Sequence, residues 1–518
     1  MNPVVIIPTF ICAGETQGAG SVTTTYDHMT PLADPGELSR CLASLRAVDG
    51  LGQIIVLVVS ERGIAQEAAD KVEAIALQFP DLAIAVIGAD EEELVHDRFV
   101  QLGLNEMKRE IGLSGYAATR NLGLVIACAL GFDAVVFLDD DAVVEDPDFL
   151  RKAVYGLGKL TRRGIPILAK TGYYLNAKGT YRSMSQDKWY NRFWEQGRAF
   201  NAWIEKAMRG ARLSRSNHVC GGCLALHRES FKRIAFDPWI ARGEDLDYML
   251  DLRMYGSDIW FDNSWWMRHL PPATASEGQR FRQDIYRWLY EYRKVEYSRT
   301  QIDLLQVKPA SLEPYPGPFL EAGIGKRVRA TAFLRSIGRP DHKAYRQAAK
   351  AARDDAAQYA QRNCSKYFEF QFIWSEIMAR IENDEILAHA LVESVQQRAY
   401  GVYAEQIERV NAAGAQRNAQ RRASQRPQPT PQQAPAAQTG AGVVPGSRPG
   451  AAAGAAGAPQ PGGYAQAPAG GDPAPGGRVP AEAQTNGTSR DGYAPATRRS
   501  AAIDPGMTSE IRLNIDER

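Results

Sequence analysis

Three consecutive acids close a short apolar run, and this junction constrains the fold more than any other feature of the chain. The run from Ala134 to Leu138 leads directly into Asp139-Asp140-Asp141. A short β-branched run bounded by polar residues is typical of a buried parallel strand. Ligands of open α/β sheets bind at the carboxyl ends of such strands, so the sequence places these carboxylates where a ligand would lie.

The acidic triplet also predicts a metal site. Adjacent carboxylates repel one another unless they share a cation, and hard oxygen ligands suit Mg²⁺ or Mn²⁺. The alternative is that the acids cap the next helix or lie in solvent, because a short acidic string carries little information. The sequence around the triplet favours the metal, which would bridge the protein to phosphate.

Composition excludes several classes of function. The chain has 518 residues, enough for two or three domains, and its 61 Lys and Arg against 60 Asp and Glu give no reason to expect a nucleic-acid partner.

The N-terminus has neither a basic leader nor an apolar core long enough for a secretory signal. The longest apolar candidate, residues 122–138, is broken by Gly131 and Asp133, so we expect a cytoplasmic protein with no transmembrane segment.

The cysteines indicate a reducing compartment. Six cysteines in a chain of this length do not form a disulfide framework. Cys220 and Cys223 have the spacing of half a zinc site or of a redox pair, but no second pair completes four ligands. We therefore expect small buried thiols.

The first part of the chain alternates strand and helix patterns, which predicts an α/β fold. The predicted strands are Val4 to Pro8, Gln53 to Ser60, Leu82 to Ile87, Ala134 to Asp139 and Ile165 to Thr171. The predicted helices are Glu37 to Ala47, Glu67 to Phe79, Gly115 to Ala129 and Pro147 to Leu160. Residues 187–210 interleave aromatic and charged residues, which predicts an amphipathic helix with most rings in a core and one or two free to stack on an acceptor.

The remaining chain divides into a helical part and a low-complexity part. From residue 273 to 411 the pattern is helical, with Trp374, Met378 and Ile381 at helical spacing and breaks at residues 309–318 and at Arg339-Pro340. Residues 412–518 are rich in Ala, Gly, Pro and Gln and are predicted to be disordered. Residues 509–516 alternate like a strand and could dock a protein partner, although a frayed tail is the simpler interpretation.

Two blocks of sequence resemble glycosyltransferases of family 2 and related families with the GT-A fold. The first block, Gly115 to Gly123, contains Arg120-Asn121 before the helix that leads to the acids, and the triplet stands where those enzymes have a DxD motif. The second block, Cys220 to Phe231, is followed by Gly243-Glu244-Asp245 at a helix start. The resemblance covers residues 3–270 and implies a Rossmann-like mixed sheet flanked by helices, with a catalytic domain at 1–272.

The resemblance implies a role for each matching residue. Asp139, Asp141 and His269 would bind Mn²⁺ or Mg²⁺, and the donor would contact a second set of residues. Asp245 would act as the base that deprotonates an acceptor hydroxyl, with Glu244 beside it; the alternative is that both acids merely cap the helix. The implied donor-binding residues are Pro8, Thr9, Arg120, Asn121, Asp139, Asp140 and Gly222.

The implied activity is transfer of a sugar from a nucleoside-diphosphate sugar to an acceptor hydroxyl, with inversion of configuration. The acceptor could be a glycan, a lipid, a protein or a small molecule. A nucleotidyltransferase is disfavoured because the first strand is not followed by its Gly-rich basic loop. A catalytically silent glycan-binding or scaffold protein is the alternative from another class. The sequence departs from the family in the long loop at 12–35 and at Ser60-Glu61-Arg62, where the usual base-contacting aspartate is missing.

Overall fold

The fold is built on a mixed sheet of ten strands within the part of the chain that the computed structural model describes, residues 1–14, 26, 28–184, 188–272 and 276–424. The strands are β1 Pro3–Cys12, β2 Thr30–Pro31, β3 Gln53–Ser60, β4 Ala83–Ile87, β5 Ala134–Phe137, β6 Ala142–Val143, β7 Ala169–Leu175, β8 Leu213–Arg215, β9 Leu224–His227 and β10 Trp260–His269. Residues 1–416 form one compact unit.

Helices cover both faces of this sheet. The helices before β10 are α1 Leu38–Leu45, α2 Ala65–Ala76, α3 Ala89–Gln101, α4 Tyr116–Ala129, α5 Phe149–Val154, α6 Gln196–Met208, α7 Arg228–Phe231 and α8 Glu244–Met254. Those after it are α9 Glu277–Ser298, α10 Ile324–Gly338, α11 His342–Asp354, α12 Ala356–Ile381 and α13 Glu385–Ser424. None of the described helices is both long enough and apolar enough to cross a bilayer.

The strand order places β1 and β5 side by side in the middle of the sheet. The order is β4-β3-β1-β5-β9-β7-β10-β6, with β2 paired to β1 and β8 paired to β10. From β4 to β5 all pairs are parallel, whereas β9 is antiparallel to both β5 and β7. The direction therefore changes next to β5, and a cleft opens beyond the carboxyl ends of β1 and β5.

Side-chain alternation along β1 separates two cores. Val4 and Ile6 face the core shared with α4 and the C-terminal helices, while Val5 and Ile7 face the core shared with α1 and α2. Both faces of the strand are buried, which explains why it is an unbroken apolar run. The α/β architecture predicted from the sequence is confirmed.

Several predicted elements differ in their bounds. Strand β3 has the predicted bounds, and β1 continues four residues beyond Pro8. Helix α5 ends at Val154, six residues earlier than predicted, because Tyr155 is extended and Gly156 has a positive φ of 73°. Strand β7 begins at Ala169, four residues later than predicted. Residues 160 and 166 form an isolated β-bridge, so the apolar residues just before Ala169 belong to this turn and not to the strand. The sequence analysis did not predict helix α3, because three acids occupy its first turn and few apolar residues mark its buried face.

Within the aromatic segment, the described residues 188–210 contain one turn at Trp189–Asn191 followed by α6. Trp194 and Trp203 are buried in the core, as predicted, whereas Trp189 and Phe193 are exposed. Farther along, α10 ends at Gly338 and α11 begins at His342, so the break predicted at Arg339-Pro340 is present. Helix α13 continues to Ser424, past the predicted start of the tail at 412; residues 425–518, including the alternating segment at 509–516, lie outside the described residues.

Helix α4 is enclosed between the sheet and α12. At Gly123 a Cβ would lie 3.1 Å from side-chain atoms of Ile6 and Leu57, so the glycine lets the helix pack closely on β1 and β3. On the opposite side the Cys128 thiol donates to the carbonyl of Met378 in α12. The helix thus holds Arg120, in its second turn, at a fixed height above the sheet.

A buried lysine joins α9 to the elements behind the cleft. Lys294 Nζ lies 2.8 Å from Asp237, 2.7 Å from Asp247 and 2.7 Å from Asp251, and all four side chains are fully buried. Burial raises the pKa of Asp247 to about 6, although Lys294 opposes the shift. One cation therefore compensates three carboxylates, and its loss would leave them unpaired in the interior.

We expect Lys294→Met to destabilise the protein by about 3–5 kcal/mol, because removal of one partner of a buried ionic cluster leaves uncompensated charge. Urea denaturation followed by circular dichroism measures the change. The matched control is Lys343→Met, which removes an exposed lysine and should change the free energy of unfolding little. Equal stability of the two variants would contradict the structural role of Lys294.

Candidate active site

The three acids that follow β5 face a cleft of about 360 Å³ at the carboxyl edge of the sheet. The cleft takes Pro8 from β1, Arg120 from α4, Glu244 and Asp245 from the start of α8, and His269 from the end of β10. These residues are far apart in the chain and come from elements that end at the same edge. The structure therefore brings together nearly all the residues singled out from the sequence.

Asp139, Asp141 and His269 form a cluster with the composition of a metal site. One ligand atom of each lies within 4.8 Å of the others. His269 Nε2 is 3.2 Å from Asp141 Oδ2, and Asp141 Oδ1 is buried with no hydrogen-bond partner among the described residues. Burial opposes protonation of His269, but the hydrogen bond to Asp141 and the negative charges of Asp141 and Asp139 together outweigh it and raise the pKa of the imidazole. An unpartnered buried oxygen beside a second carboxylate and an imidazole fits a divalent cation.

His28 also contacts this cluster, and the sequence analysis missed it. Its Nε2 lies 3.4 Å from Asp141 Oδ2. The residue belongs to the long segment between β1 and β2, which carries no recognisable motif. His28 comes near Asp141 because β2 pairs with the end of β1, with Thr30 beside Ile11.

Asp140 has a different role from its two neighbours. Its Oδ2 accepts a hydrogen bond of 2.7 Å from the Thr9 hydroxyl, and both side chains are buried. Burial, reinforced by the charge of Asp141, raises the pKa of Asp140 to about 8, although the bond from Thr9 opposes the shift. Thr9 and Asp140 therefore join the ends of β1 and β5 beneath the cleft.

Arg120 is bonded within the protein. Its Nε donates to Glu244 Oε1 at 3.0 Å and its Nη1 donates to the carbonyl of Gly221 at 3.1 Å, while Nη2 lies 3.7 Å from Asp139. The guanidinium also lies 4.7 Å from the centroid of the Phe137 ring. The sequence predicted a donor contact for Arg120, and this stays a prediction; the structure shows a buried cation that lines the cleft and is bonded to Glu244 and to the backbone at Gly221.

Asn121 does not face the cleft. It is fully buried, and its amide nitrogen donates to the carbonyls of Glu110 and Phe236 at 3.0 and 2.9 Å. Its amide oxygen accepts from the backbone N–H of Phe236 at 2.8 Å. The structure thus gives Asn121 a positioning role between α4 and the segment before α8, in contrast to the predicted contact with the donor.

Asp245 is held in a fixed orientation at the start of α8. Its Oδ2 accepts from the Gly221 backbone N–H at 3.1 Å and its Oδ1 accepts from that of Leu246 at 2.7 Å. Gly222, next in the chain, lies under Asp139, where a Cβ would come 2.2 Å from Asp139 Oδ2. The Gly-Gly pair therefore lets the backbone pass between the two acids. Cys220 and Cys223 flank it as buried free thiols.

One wall of the cleft comes from residues outside the motifs. His218 is packed among Phe200, Trp203 and Tyr315, and burial lowers its pKa to about 4. Arg287 of α9 packs over Gly243, where a Cβ would lie 2.0 Å from the guanidinium carbon. These residues lie far from the predicted motifs in the chain, and no sequence signal marks them as cleft residues.

A second and larger cavity in the described part of the chain begins beside His28. It is bordered by Cys12 at the end of β1, by Ser60, Glu61 and Arg62 at the end of β3, and by the start of α3. His28 lines both cavities. Two adjoining spaces therefore follow the carboxyl edge of the parallel half of the sheet.

We expect Asp140→Asn to stabilise the metal-free protein at alkaline pH. Because the pKa of Asp140 is raised in the folded state, the folded protein binds this proton more tightly than the unfolded chain, and stability falls as the pH rises from about 4 through about 8. In EDTA the variant should melt above the wild type near pH 8, with a difference that shrinks toward pH 4. Thermal melts across this range test it, with the exposed Asp34→Asn as control; a variant that melts lower at every pH would contradict it.

Comparison with known proteins identifies the family. The sequence profile described as "Glycosyltransferase like family 2" matches residues 30–291, which is half of the chain. A search of curated proteins found no match. The profile includes the acidic triplet, Glu244, Asp245 and His269, and it spans the residues that line the cleft except Pro8, Phe10, His28 and Tyr315.

Similar solved structures include three transferases. The mannosyltransferase PcManGT from Pyrobaculum calidifontis, in complex with GDP-Man and Mn²⁺, is 17% identical over 74% of this chain and 86% of its own, with a TM-score of 0.36. GalNAc-T7 with UDP, GalNAc and Mn²⁺ is 14% identical over 57% and 51%, with a TM-score of 0.31. Glucosyl-3-phosphoglycerate synthase from Mycobacterium tuberculosis, with Mn²⁺ and UDP-glucose, is 15% identical over 53% and 72%, with a TM-score of 0.26.

The family assignment rests on the profile and on the fold described above. The mixed α/β sheet, with an acidic triplet after its central strand, is the GT-A architecture predicted from the sequence. The chain belongs to the glycosyltransferase family 2-like proteins, and it is a glycosyltransferase.

Proposed function

We propose that this glycosyltransferase moves a sugar from a nucleoside-diphosphate sugar to an acceptor hydroxyl, with inversion of configuration and with Mn²⁺ or Mg²⁺. The observation that carries the proposal is that one cleft is lined both by the cluster of Asp139, Asp141 and His269 and by Asp245. A metal-binding cluster and a separate carboxylate are the two parts that single-displacement transfer needs. No second enzymatic activity is favoured by the cleft.

The metal would be held by Asp139, Asp141 and His269. The unpartnered Asp141 oxygen and the mixed oxygen and nitrogen ligands support this assignment. A divalent cation bound there would offset the charge that develops on the leaving nucleoside diphosphate. His28 reaches the same carboxylate from the segment between β1 and β2, and we assign it to the orientation of Asp141.

Asp245 is the better base of the two acids. Glu244 is buried and bonded to Arg120, so its charge serves the ion pair that orders the site. Asp245 is half-buried and lines the cleft, and two backbone N–H groups fix the direction of its carboxylate. A fixed, accessible carboxylate can take the proton of an acceptor hydroxyl as that hydroxyl attacks the sugar. In this proposal Glu244 orients Arg120, and Asp245 accepts the proton of the acceptor hydroxyl.

The donor nucleoside would occupy the cavity at the ends of β1 and β3. This cavity adjoins the metal-binding cluster through His28, so one extended molecule could place its base there and its diphosphate at the acids. Pro8 lines the cleft, and the next residue, Thr9, donates a hydrogen bond to Asp140. The acceptor would enter by the wall of Tyr174, His218 and Tyr315.

The division of the chain into a catalytic part at 1–272 and a helical part at 273–411 is also a proposal. Helix α9 contributes Arg280 and Arg287 to the cleft, so the helical part would complete the site that the catalytic part begins. The role of residues 412–518, including recruitment of a protein partner, stays a prediction.

The test of donor and metal is calorimetric binding of UDP, GDP, ADP and dTDP, each with Mn²⁺ and again with EDTA. We expect one nucleotide to bind in the presence of metal, and Asp139→Ala/Asp141→Ala to abolish that binding because it removes two of the ligands. The matched control Asp81→Ala/Asp354→Ala removes two acids from surface ion pairs and should bind normally. Failure of the wild type to bind any of the four would favour the catalytically silent interpretation.

The test of the base is Asp245→Asn. We expect kcat to fall by about 10²–10⁴-fold, the usual contribution of a general base, while the affinity for the nucleotide is unchanged. Release of nucleoside diphosphate with water as acceptor measures kcat, and proton NMR of the freed sugar shows whether its configuration is inverted. The comparison variant is Glu244→Gln. It should lower kcat and also weaken nucleotide binding, because it removes the charge that pairs with Arg120. Near wild-type kcat in Asp245→Asn would exclude this residue as the base.

A further inference from the structure

Helix α13 has an apolar face in each of its two halves, and the two faces point in different directions. In the first half, Leu387 and Leu391 are buried in the core that the C-terminal helices share with the sheet. Arg398 then fixes the helix to α3, because its Nη2 donates to both carboxylate oxygens of Glu91, at 2.7 and 2.6 Å. Residues 407–412 are all exposed. Beyond Arg398, therefore, little of the described chain packs against α13.

The large apolar residues of the second half share one face of the helix. They are spaced by three, four and three positions, and residues at these spacings are neighbours on adjacent helical turns. All of them are exposed: Tyr400 by 76%, Tyr403 by 53%, Ile407 by 44% and Val410 by 67%. We call these four residues the α13 stripe. Their common face follows from their positions on a single helix, and an exposed apolar area of this kind marks an interaction surface.

The charged residues of the same helical turns lie away from the α13 stripe. Glu405 and Arg409 form an ion pair at 3.1 Å on the opposite side of the helix. The positions that border the stripe are uncharged, namely Ala399, Ala404, Gln406 and Asn411. An apolar seam with three-four spacing is typical of helices that pair with a second helix, and charges beside the seam select the partner. With uncharged borders, two identical stripes meet without like-charge repulsion.

We propose that the α13 stripe pairs with the same stripe of a second copy of this chain, with the two helices antiparallel. A two-fold axis at the middle of the stripe places Tyr400 opposite Val410 of the second copy, and Tyr403 opposite Ile407. Each large ring then faces a smaller aliphatic side chain, which lets facing layers interdigitate. A parallel pair would set each tyrosine against its own copy.

Charge complementarity selects this register. Glu393 lies one heptad before Tyr400 and is exposed. Arg417 lies one heptad after Val410 and is also exposed. The register that joins the apolar residues places Glu393 of each copy opposite Arg417 of the other, so opposite charges meet at both ends of the contact. From Glu393 to Arg417 the contact runs along about 36 Å of helix.

Pairing through α13 leaves both cavities of each copy available. No residue of the α13 stripe lines the cleft or the larger cavity. The inference is independent of the proposed reaction, because it uses none of the cleft residues. Two active sites on one assembly would favour an acceptor that carries more than one reactive hydroxyl, since binding at one site raises the effective concentration at the other.

The experiment is sedimentation equilibrium of the full chain over a range of protein concentrations, and we expect the wild type to form a dimer. Tyr403→Ser/Ile407→Ser should raise the dissociation constant by about tenfold or more, because it removes the central apolar layers. The matched control Ile302→Ser/Phe372→Ser removes two apolar side chains that are 95% and 87% exposed elsewhere, and it should dimerise like the wild type.

An exchange of charges tests the antiparallel register. Glu393→Arg and Arg417→Glu should each weaken the dimer, because each sets like charges opposite one another. The combined variant Glu393→Arg/Arg417→Glu should recover the wild-type dissociation constant, since the pairs form again with their signs reversed. In a parallel pair Glu393 would face its own copy, so the single variants would change the dissociation constant little.

The proposal is wrong if the wild type is monomeric, if the two serines leave the dimer unchanged, or if the combined charge variant stays as weak as the single ones. A monomeric wild type whose residues 425–518 become more sensitive to trypsin in Tyr403→Ser/Ile407→Ser would assign the α13 stripe to the chain's own C-terminal segment. All the substituted side chains are exposed, and circular dichroism checks that each variant keeps its helical content.

Discussion

The buried side chain of Arg120 is the interaction on which the active site depends. It comes from α4, and it contacts Glu244 of α8, the carbonyl of Gly221 before β9, and Asp139 after β5. A guanidinium can serve several acceptors at once because its donors are spread over a planar fork. One side chain therefore joins an acid of the proposed metal site to the helix that carries the proposed base. Its burial makes that spacing rigid, since an unpaired charge at this depth is very costly.

The C-terminal helices extend this arrangement. Lys294 of α9 compensates Asp247 and Asp251, which lie on the same helix as Glu244 and Asp245. Helix α8 is thus fixed at its start by Arg120 and along its length by Lys294. Arg287, two turns before Lys294 on α9, reaches the cleft wall. The helices after β10 consequently belong to the same compact unit as the sheet.

Sequence reasoning singled out most of the residues that line the cleft, but it did not foresee which of them are bonded to one another. The acidic triplet, Glu244, Asp245 and His269 all face the cleft, because each follows a short motif tied to the end of an element. Arg120 and Asn121 belong to the same motif, yet both are bonded inside the protein. A motif records which side chains are required, but not whether a side chain faces the ligand or supports a residue that does. His28 and His218 lie outside every motif, so only the fold could reveal them.

The sequence by itself determined the alternation of strands and helices, the position of the acids at the end of a central strand and the family of the protein. These follow from local patterns, namely runs of β-branched residues, helical periodicity and motif order. Tertiary structure alone decided that Thr9 binds Asp140, that Arg120 pairs with Glu244 and that His28 and His218 reach the cleft. Those outcomes depend on contacts between residues more than a hundred positions apart, such as Thr9 with Asp140 and Arg120 with Glu244. Local sequence preferences do not encode such distances, because they arise from how the elements pack together.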